Sequence, residues 1–327
     1  LAETIALVGS ETLLGKEVSE VLGESALGQS LRLVAGETQE TGKLVEISGS
    51  PTFLAKLEAD AVDDADVLIL AGSAESSKNA LKGNPSGVVI DLTYAAEDDP
   101  EACVRAPQLE SDRERGLTGP QIVAHPAAVA IALVLKRLNT AFPIARAIVH
   151  VFQPASEWGT KGIEELQQQT VNLLSFQPLP KKIFGAQLSY ALLAQLGPDA
   201  PVQLQDVEER IERHLASLLE RLDGVPMPSL RVIQAPVFHG YSFSFWVDFE
   251  ESPSVSDLED ALNQEPIEVR AGDFEPPNNV GAAGQSGVSV GAIAPDRNSG
   301  SAFWIWAAID NLRMAADTAA MIARESL

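Results

Sequence analysis

Four histidines and one cysteine are the side chains best suited to proton transfer and nucleophilic attack at neutral pH, and their placement limits what they can do. Cys103 sits in Ala102-Cys103-Val104 with no cation beside it and no helix opening at it, so no catalytic role is expected there. His125 precedes Pro126 at the head of an apolar helix, and His239 stands two residues before Tyr241. With Gln153 they could form a site of two imidazoles, a phenol and an amide, suited to a metal or to acid/base work. A metal normally wants three converging ligands and no carboxylate is expected beside these, so no metal is expected. His150 lies in an apolar strand and His214 on the edge of a helix stripe, and both read as packed or boundary residues.

A second chemistry is written in glycines. Gly9-Ser10-Glu11-Thr12-Leu13-Leu14-Gly15 follows an apolar strand and precedes a helix carrying Val18, Val21 and Leu22. Glycines at such a turn let the backbone approach a pyrophosphate, which rests on the amide hydrogens of the helix amino terminus. Thr12 stands where the middle glycine would be, and Glu11 brings a carboxylate to where a phosphate would lie; a turn made only for packing is the competing reading. Gly36-Glu37 follows the next apolar run, and an acid there accepts from a ribose 2′-hydroxyl and repels a 2′-phosphate. Any dinucleotide is therefore expected to be NAD rather than NADP, and weakly held.

The elements that must position these residues fall into two halves. Thr4 to Val8, Leu31 to Ala35, Val67 to Leu70, Val88 to Asp91 and Gln121 to Ala124 are short apolar runs separated by helical or polar stretches. That pattern predicts a parallel sheet covered on both faces, with ligands beyond its carboxyl ends. Pro126 opens a helix through Phe142. Beyond it the period changes to two: Phe243, Phe245, Val247 and Phe249 alternate with Ser242, Ser244, Asp248 and Glu250. Interleaved stripes, one of Ile163, Leu166, Thr170 and Leu173 and another of Leu204, Val207, Ile211, Leu215, Leu218 and Leu222, predict amphipathic helices. The expected class is α/β: a Rossmann-like parallel-sheet domain over 1–125, joined by a C-terminal helix over 310–327, and an α+β domain with a mixed sheet over 126–309. The aromatics Phe243, Phe245, Trp246, Trp304 and Trp306 are expected in the core or at a subunit interface.

Composition narrows the partners. The 46 acidic against 23 basic residues leave a formal charge of −23, which repels nucleic acid and anionic membranes. The longest nearly apolar run, Ile122 to Leu135, is short of the roughly 18 residues a membrane span requires. With 45% apolar residues, a lone cysteine and no basic leader in view, a soluble cytoplasmic protein is expected.

Several strings together resemble the aspartate-semialdehyde dehydrogenase family: Gly9 to Gly15, Ala71-Gly72-Ser73-Ala74, Val89-Ile90-Asp91, Gln153-Pro154-Ala155-Ser156 with Lys161-Gly162-Ile163-Glu164-Glu165-Leu166, and Val290-Gly291, Trp304 and Asp310-Asn311-Leu312-Arg313. The resemblance implies a homodimer built on the second domain's sheet. It also implies a cofactor site drawing on Gly9, Glu11, Thr12, Leu13, Leu14, Gly15, Glu37, Gly72, Ser73, Ser156 and Asn311. The family's chemistry needs a Cys nucleophile, a His base, a substrate Arg and a Gln; here those positions read Ala128, Tyr241, Gln234 and Gln153. The family's phosphate-binding Arg is missing from Thr93-Tyr94-Ala95-Ala96-Glu97. This set of losses resembles the Usg-type paralogues and implies a chain without the family's reaction; the resemblance supplies no biochemical role, and a binding or regulatory role with an unknown small-molecule ligand is the expectation. The alternative is an NAD-dependent oxidoreductase using Tyr241, His239 or His125 without a thiol.

Overall fold

The computed structural model describes residues 3–36, 44–47, 50–83, 85–110 and 119–327. The chain forms two compact units, Leu1–Ala124 with Leu312–Leu327, and His125–Asn311.

In the first unit, β1 (Ile5–Val8), α1 (Leu13–Gly23), β2 (Leu31–Val34), the antiparallel pair β3 (Leu44–Ile47) and β4 (Ser50–Phe53), α2 (Ala59–Val62), β5 (Val67–Leu70), α3 (Ala74–Leu81), β6 (Val88–Asp91), β7 (Cys103–Arg105) and β8 (Gln121–Val123) follow in order. Six of the strands make an all-parallel sheet in the order β2-β1-β5-β6-β8-β7. Ile5, Leu7, Val67 and Ile69 face one side and Ala6, Val8, Leu68 and Leu70 the other, all fully buried, which is why these strands are uninterrupted apolar runs. On the first side lie α1 and the C-terminal helix Asn311–Ser326, whose Ala316, Ala319, Ala320 and Ala323 form a small-residue stripe at i, i+3, i+4, i+7. Val62 of α2 and Ala80 of α3 pack on the second side.

The pair β3–β4 and the edge strand β7 were not expected from the sequence. Cys103-Val104-Arg105 lacks an apolar run because Arg105, although buried, is polar. Its guanidinium binds Glu110 at 2.7 Å, Glu325 at 2.7 Å and the Gln121 amide, so the pairing of β7 on β8 is also a junction for the C-terminal helix.

The second unit contains α4 (Pro126–Ala141), β9 (Ile144–Gln153), α5 (Gly159–Leu174), α6 (Leu204–Leu219), β10 (Ser229–Gln234), β11 (Tyr241–Phe249), α7 (Val255–Leu262), β12 (Ile267–Arg270), β13 (Val288–Pro295) and β14 (Ala302–Ile309). Its mixed sheet runs β10-β9-β11-β14-β13-β12. Tyr241, Phe243, Phe245, Val247 and Phe249 of β11 are buried on the face that carries α4, α6 and α7. Each fully buried aromatic or aliphatic side chain there contributes about 1.5–3 kcal/mol. The tryptophans are not core. Trp246 lies opposite Ile148 and Trp304, and Ser244 opposite His150 and Trp306, all on the other sheet face, where Ile148 and Trp304 are each 41% exposed.

The stripe on α6 is buried as its spacing predicts, through Leu204, Val207, Ile211, Leu215 and Leu218. That on α5 differs: beside Leu166, the inner face carries Glu165 and Gln169, while Ile163 is half-buried. Glu165 accepts the amides of Lys182, Ile183 and Phe184, and Gln169 those of Leu188 and Ser189. The loop after α5 has no ladder of its own, so buried polar side chains satisfy its amides and replace an apolar face.

Candidate functional site

Pro126 is the first residue of α4, where its missing amide hydrogen is harmless, and His125 is the N-cap. His125 Nδ1 accepts the Ala127 amide at 3.2 Å, which leaves the ring hydrogen on Nε2. Nε2 lies 3.2 Å from Glu157 Oε1, and the His125 backbone amide donates to His214 Nδ1 at 2.9 Å. Glu157 belongs to the short 3-10 turn Ala155–Trp158 after β9. Tyr241, the first residue of β11, sets its ring edge-on to His125 with centroids 5.9 Å apart. Its hydroxyl bonds Glu157 and lies 3.5 Å from Gln153 Oε1.

Parallel pairing of β9 and β10 puts Gln153 and Gln234, the last residue of each strand, side by side. Gln234 Oε1 accepts Trp158 Nε1 at 2.7 Å and Gln153 Nε2 at 3.1 Å, while its own Nε2 donates to the carbonyls of Gln153 at 2.9 Å and Ala235 at 3.3 Å. Ala128, Gln153, Gln234 and Tyr241 are each 0% exposed. The Glu157 side chain, 20% exposed, is the outer end of this polar cluster. Burial pushes the Glu157 carboxyl up, but the His125 imidazole, the Tyr241 hydroxyl and the charge of Arg210 outweigh it and hold it below the usual carboxylate range.

The imidazole that bonds at His125 is that of His214; His239 lies half-buried and receives Asn279 Nδ2 on its carbonyl. The carboxylate not expected beside His125 is also present. Glu157 escaped the sequence reading because it lies in an irregular turn, where no periodicity aims a side chain; the nearest signal is its place four residues beyond Gln153. Trp158 escaped for the same reason. Among the described residues, no group of three His, Cys, Asp or Glu side chains gathers to hold a metal. Chemically the cluster offers an ionised carboxylate, an imidazole and a phenol.

The glycine loop lies in the first unit. Gly9 has φ +82°, and a Cβ on it would come within 2.2 Å of Gly72 Cα, so the loops after β1 and β5 meet backbone to backbone. Thr12 caps α1 by accepting the Gly15 amide at 2.9 Å and donates to the Ala71 carbonyl at 2.8 Å. The amides of Leu13 and Leu14 find no acceptor among the described residues. Glu11 turns back over the end of β2 and accepts the Gly36 amide on Oε1 at 2.8 Å. Ser73 makes a capping box with Ser76 on α3. Glu37 lies outside the described residues. In the second unit, Asn311 Oδ1 accepts both Ser156 Oγ at 3.1 Å and the Gly240 amide at 3.2 Å, which ties the turn after β9 to the turn before β11. Asp91 accepts the amides of Thr93 and Ala96 and so closes the turn containing Tyr94, which has φ +62°. Cys103 is half-buried on the edge strand β7.

Residues 135–314 match the family model described as semialdehyde dehydrogenase, dimerisation domain. The chain is 25% identical to an aspartate-semialdehyde dehydrogenase of Prochlorococcus marinus, over 96% of this chain and 92% of that one. It is 26% identical to a USG-1 protein homolog of Pseudomonas aeruginosa, over 99% and 97%. The fold is that of a probable aspartate-semialdehyde dehydrogenase from Pseudomonas aeruginosa, with a TM-score of 0.84 at 24% identity over 99% and 98% of the two chains. It is shared with the aspartate semialdehyde dehydrogenase of Candida albicans solved with NADP, with a TM-score of 0.67 at 14% identity over 100% and 98%.

Proposed function

The chain belongs to the semialdehyde dehydrogenase family, and from that premise we propose a catalytically degenerate member, a cytoplasmic homodimer that binds NAD weakly and acts as a binding or regulatory partner. One observation carries this reading. The residues at the family's four catalytic positions are fully buried, and the two glutamines among them spend their side-chain bonds on each other and on their neighbours. Gln234 offers no charge to a substrate carboxylate and Ala128 offers no thiolate. Amides at Leu13 and Leu14 that find no acceptor among the described residues favour a phosphate at the head of α1. The half-exposed row of Ile148, Trp246 and Trp304 favours a second copy on that sheet face. The test is an assay of the purified protein with aspartate semialdehyde, phosphate and either NAD or NADP. Turnover at ordinary enzyme rates that survives Cys103→Ala would overturn the reading, and a monomer by light scattering at micromolar concentration would overturn the dimer.

A second reading, an NAD-dependent oxidoreductase of this family without covalent catalysis, is favoured by the chain Glu157–His125–Tyr241, an acid/base set with one end toward solvent. In that reading Tyr241 delivers the proton and takes a new one from solvent by way of the Glu157 carboxylate that its hydroxyl bonds, while His125 holds that carboxylate in place. Reduction of aldehydes by NADH that is lost in Tyr241→Phe would favour it over the first.

A further inference from the structure

Resting on the homodimer reading, we infer that the contact between copies extends from the sheet face onto the end of α5 and the segment 176–192, with Phe176 and Tyr190 as its aromatic anchors. α5 ends in a Schellman motif: the Gln177 amide donates to the Asn172 carbonyl at 2.8 Å and the Phe176 amide to that of Leu173 at 3.4 Å. Phe176 stands where glycine is usual, at φ +55°, and is 96% exposed. Tyr190 is exposed too, at φ +60°. A bulky residue in left-handed backbone is strained, and a ring left in water gains nothing from its own chain's packing. Burial against another surface offsets that strain, and Val171, Leu174 and Leu192 in the same segment are exposed as well. Charge and position make a second copy the occupant. With 46 acidic residues in each chain, two copies repel wherever carboxylates meet. From Leu166 to Pro198 there is no Asp or Glu, while Lys181 and Lys182 are exposed there. Strands β9, β10 and β14 hold no acid either, and Asp248 of β11 is bonded to Arg146. The two surfaces join at the sheet's edge, where Leu193, next to exposed Leu192, exchanges backbone bonds of 3.0 and 2.9 Å with Gln234 of β10.

Sedimentation equilibrium of the full chain, of Phe176→Gly with Tyr190→Gly, and of Phe274→Ala tests this. Glycine adopts positive φ without strain, so the double variant relaxes the backbone while deleting both rings, and far-UV circular dichroism checks its fold. Phe176→Asn with Tyr190→Asn, which also tolerates this backbone, is a second ring-free pair. Phe274 is exposed in the turn after β12, at the opposite edge of the sheet, and controls for the loss of any surface ring. The expected result is a dimer dissociation constant raised about tenfold or more in the ring-free pairs and unchanged in Phe274→Ala. Ring-free pairs that dimerise as tightly as the parent, or an equal loosening in Phe274→Ala, overturn the assignment alone. A parent that is monomeric throughout the micromolar range overturns the homodimer reading together with it.

Discussion

Gln234→Leu conserves most of the side-chain volume and deletes the four hydrogen bonds that Gln234 makes with Gln153, Trp158 and Ala235. The Gln153 carbonyl keeps the Ala235 amide at 2.9 Å, so it is not orphaned. Gln153 Nε2 is different: its residue is 0% exposed, and the acceptor it loses cannot be replaced by water. A buried donor left unsatisfied costs about 1–3 kcal/mol, and the half-buried Trp158 indole adds up to about 1 kcal/mol, for a total of about 1–4 kcal/mol. Gln153→Leu with Gln234→Leu removes both partners and leaves no orphaned amide, so the pair should cost less than the sum of the single changes by about 1–3 kcal/mol. Urea unfolding followed by far-UV circular dichroism, at one protein concentration so that assembly is constant, measures all three. A single-variant loss below about 0.5 kcal/mol, or strictly additive losses, would show that the two amides do not bond in the folded protein. The inward commitment of Gln234, and the closed site argued from it, would then fall.

Acid stability probes the other end of the cluster. Because the folded carboxyl of Glu157 titrates below its ordinary value, its contribution is present above about pH 4.3 and is lost as pH falls through the lower folded value. Glu157→Gln should therefore unfold with a shallower dependence on pH below about 4.5 than the parent, and an unchanged slope in acid titrations would contradict the assigned partners. Gly9→Ala forces a side chain onto φ +82° and against the Gly72 backbone, so a loss above about 2 kcal/mol is expected in the same urea assay; a neutral variant would mean the two loops separate. Ala128→Cys should introduce a thiol that iodoacetamide modifies more slowly than half-buried Cys103, since position 128 is fully buried. Faster modification, read by mass spectrometry of the native protein, would show that the site opens.

Much of the scaffold is legible in adjacent residues. Val67 to Leu70 is a strand in any reading because an apolar run of that length must be buried on both faces, and Tyr241 to Phe249 alternates because only one face of its sheet is covered. Pro126 marks the start of α4, and Gly9 the turn before α1, through backbone restrictions belonging to those residues alone. The chemistry of Ala128 and Gln234 is equally local, since a methyl group or an amide cannot do the work of a thiolate or a guanidinium wherever it lies.

What each polar side chain bonds is a different matter, and only the tertiary structure decides it. Gln153 and Gln234 are 81 residues apart and touch because β9 and β10 pair in parallel with one particular register, which depends on the order of all six strands. Glu157 faces His125 because the turn after β9 is tied to the loop before β11. Glu165 and Gln169 occupy the inner face of α5 because a loop without a ladder needs acceptors for its amides. Glu11 swings onto Gly36 because β1 and β2 are neighbours. Periodicity and turn chemistry act over a few residues and can be read along the chain. A hydrogen bond between distant residues depends on strand order, register and the desolvation of everything around it, so it exists only once the chain has packed.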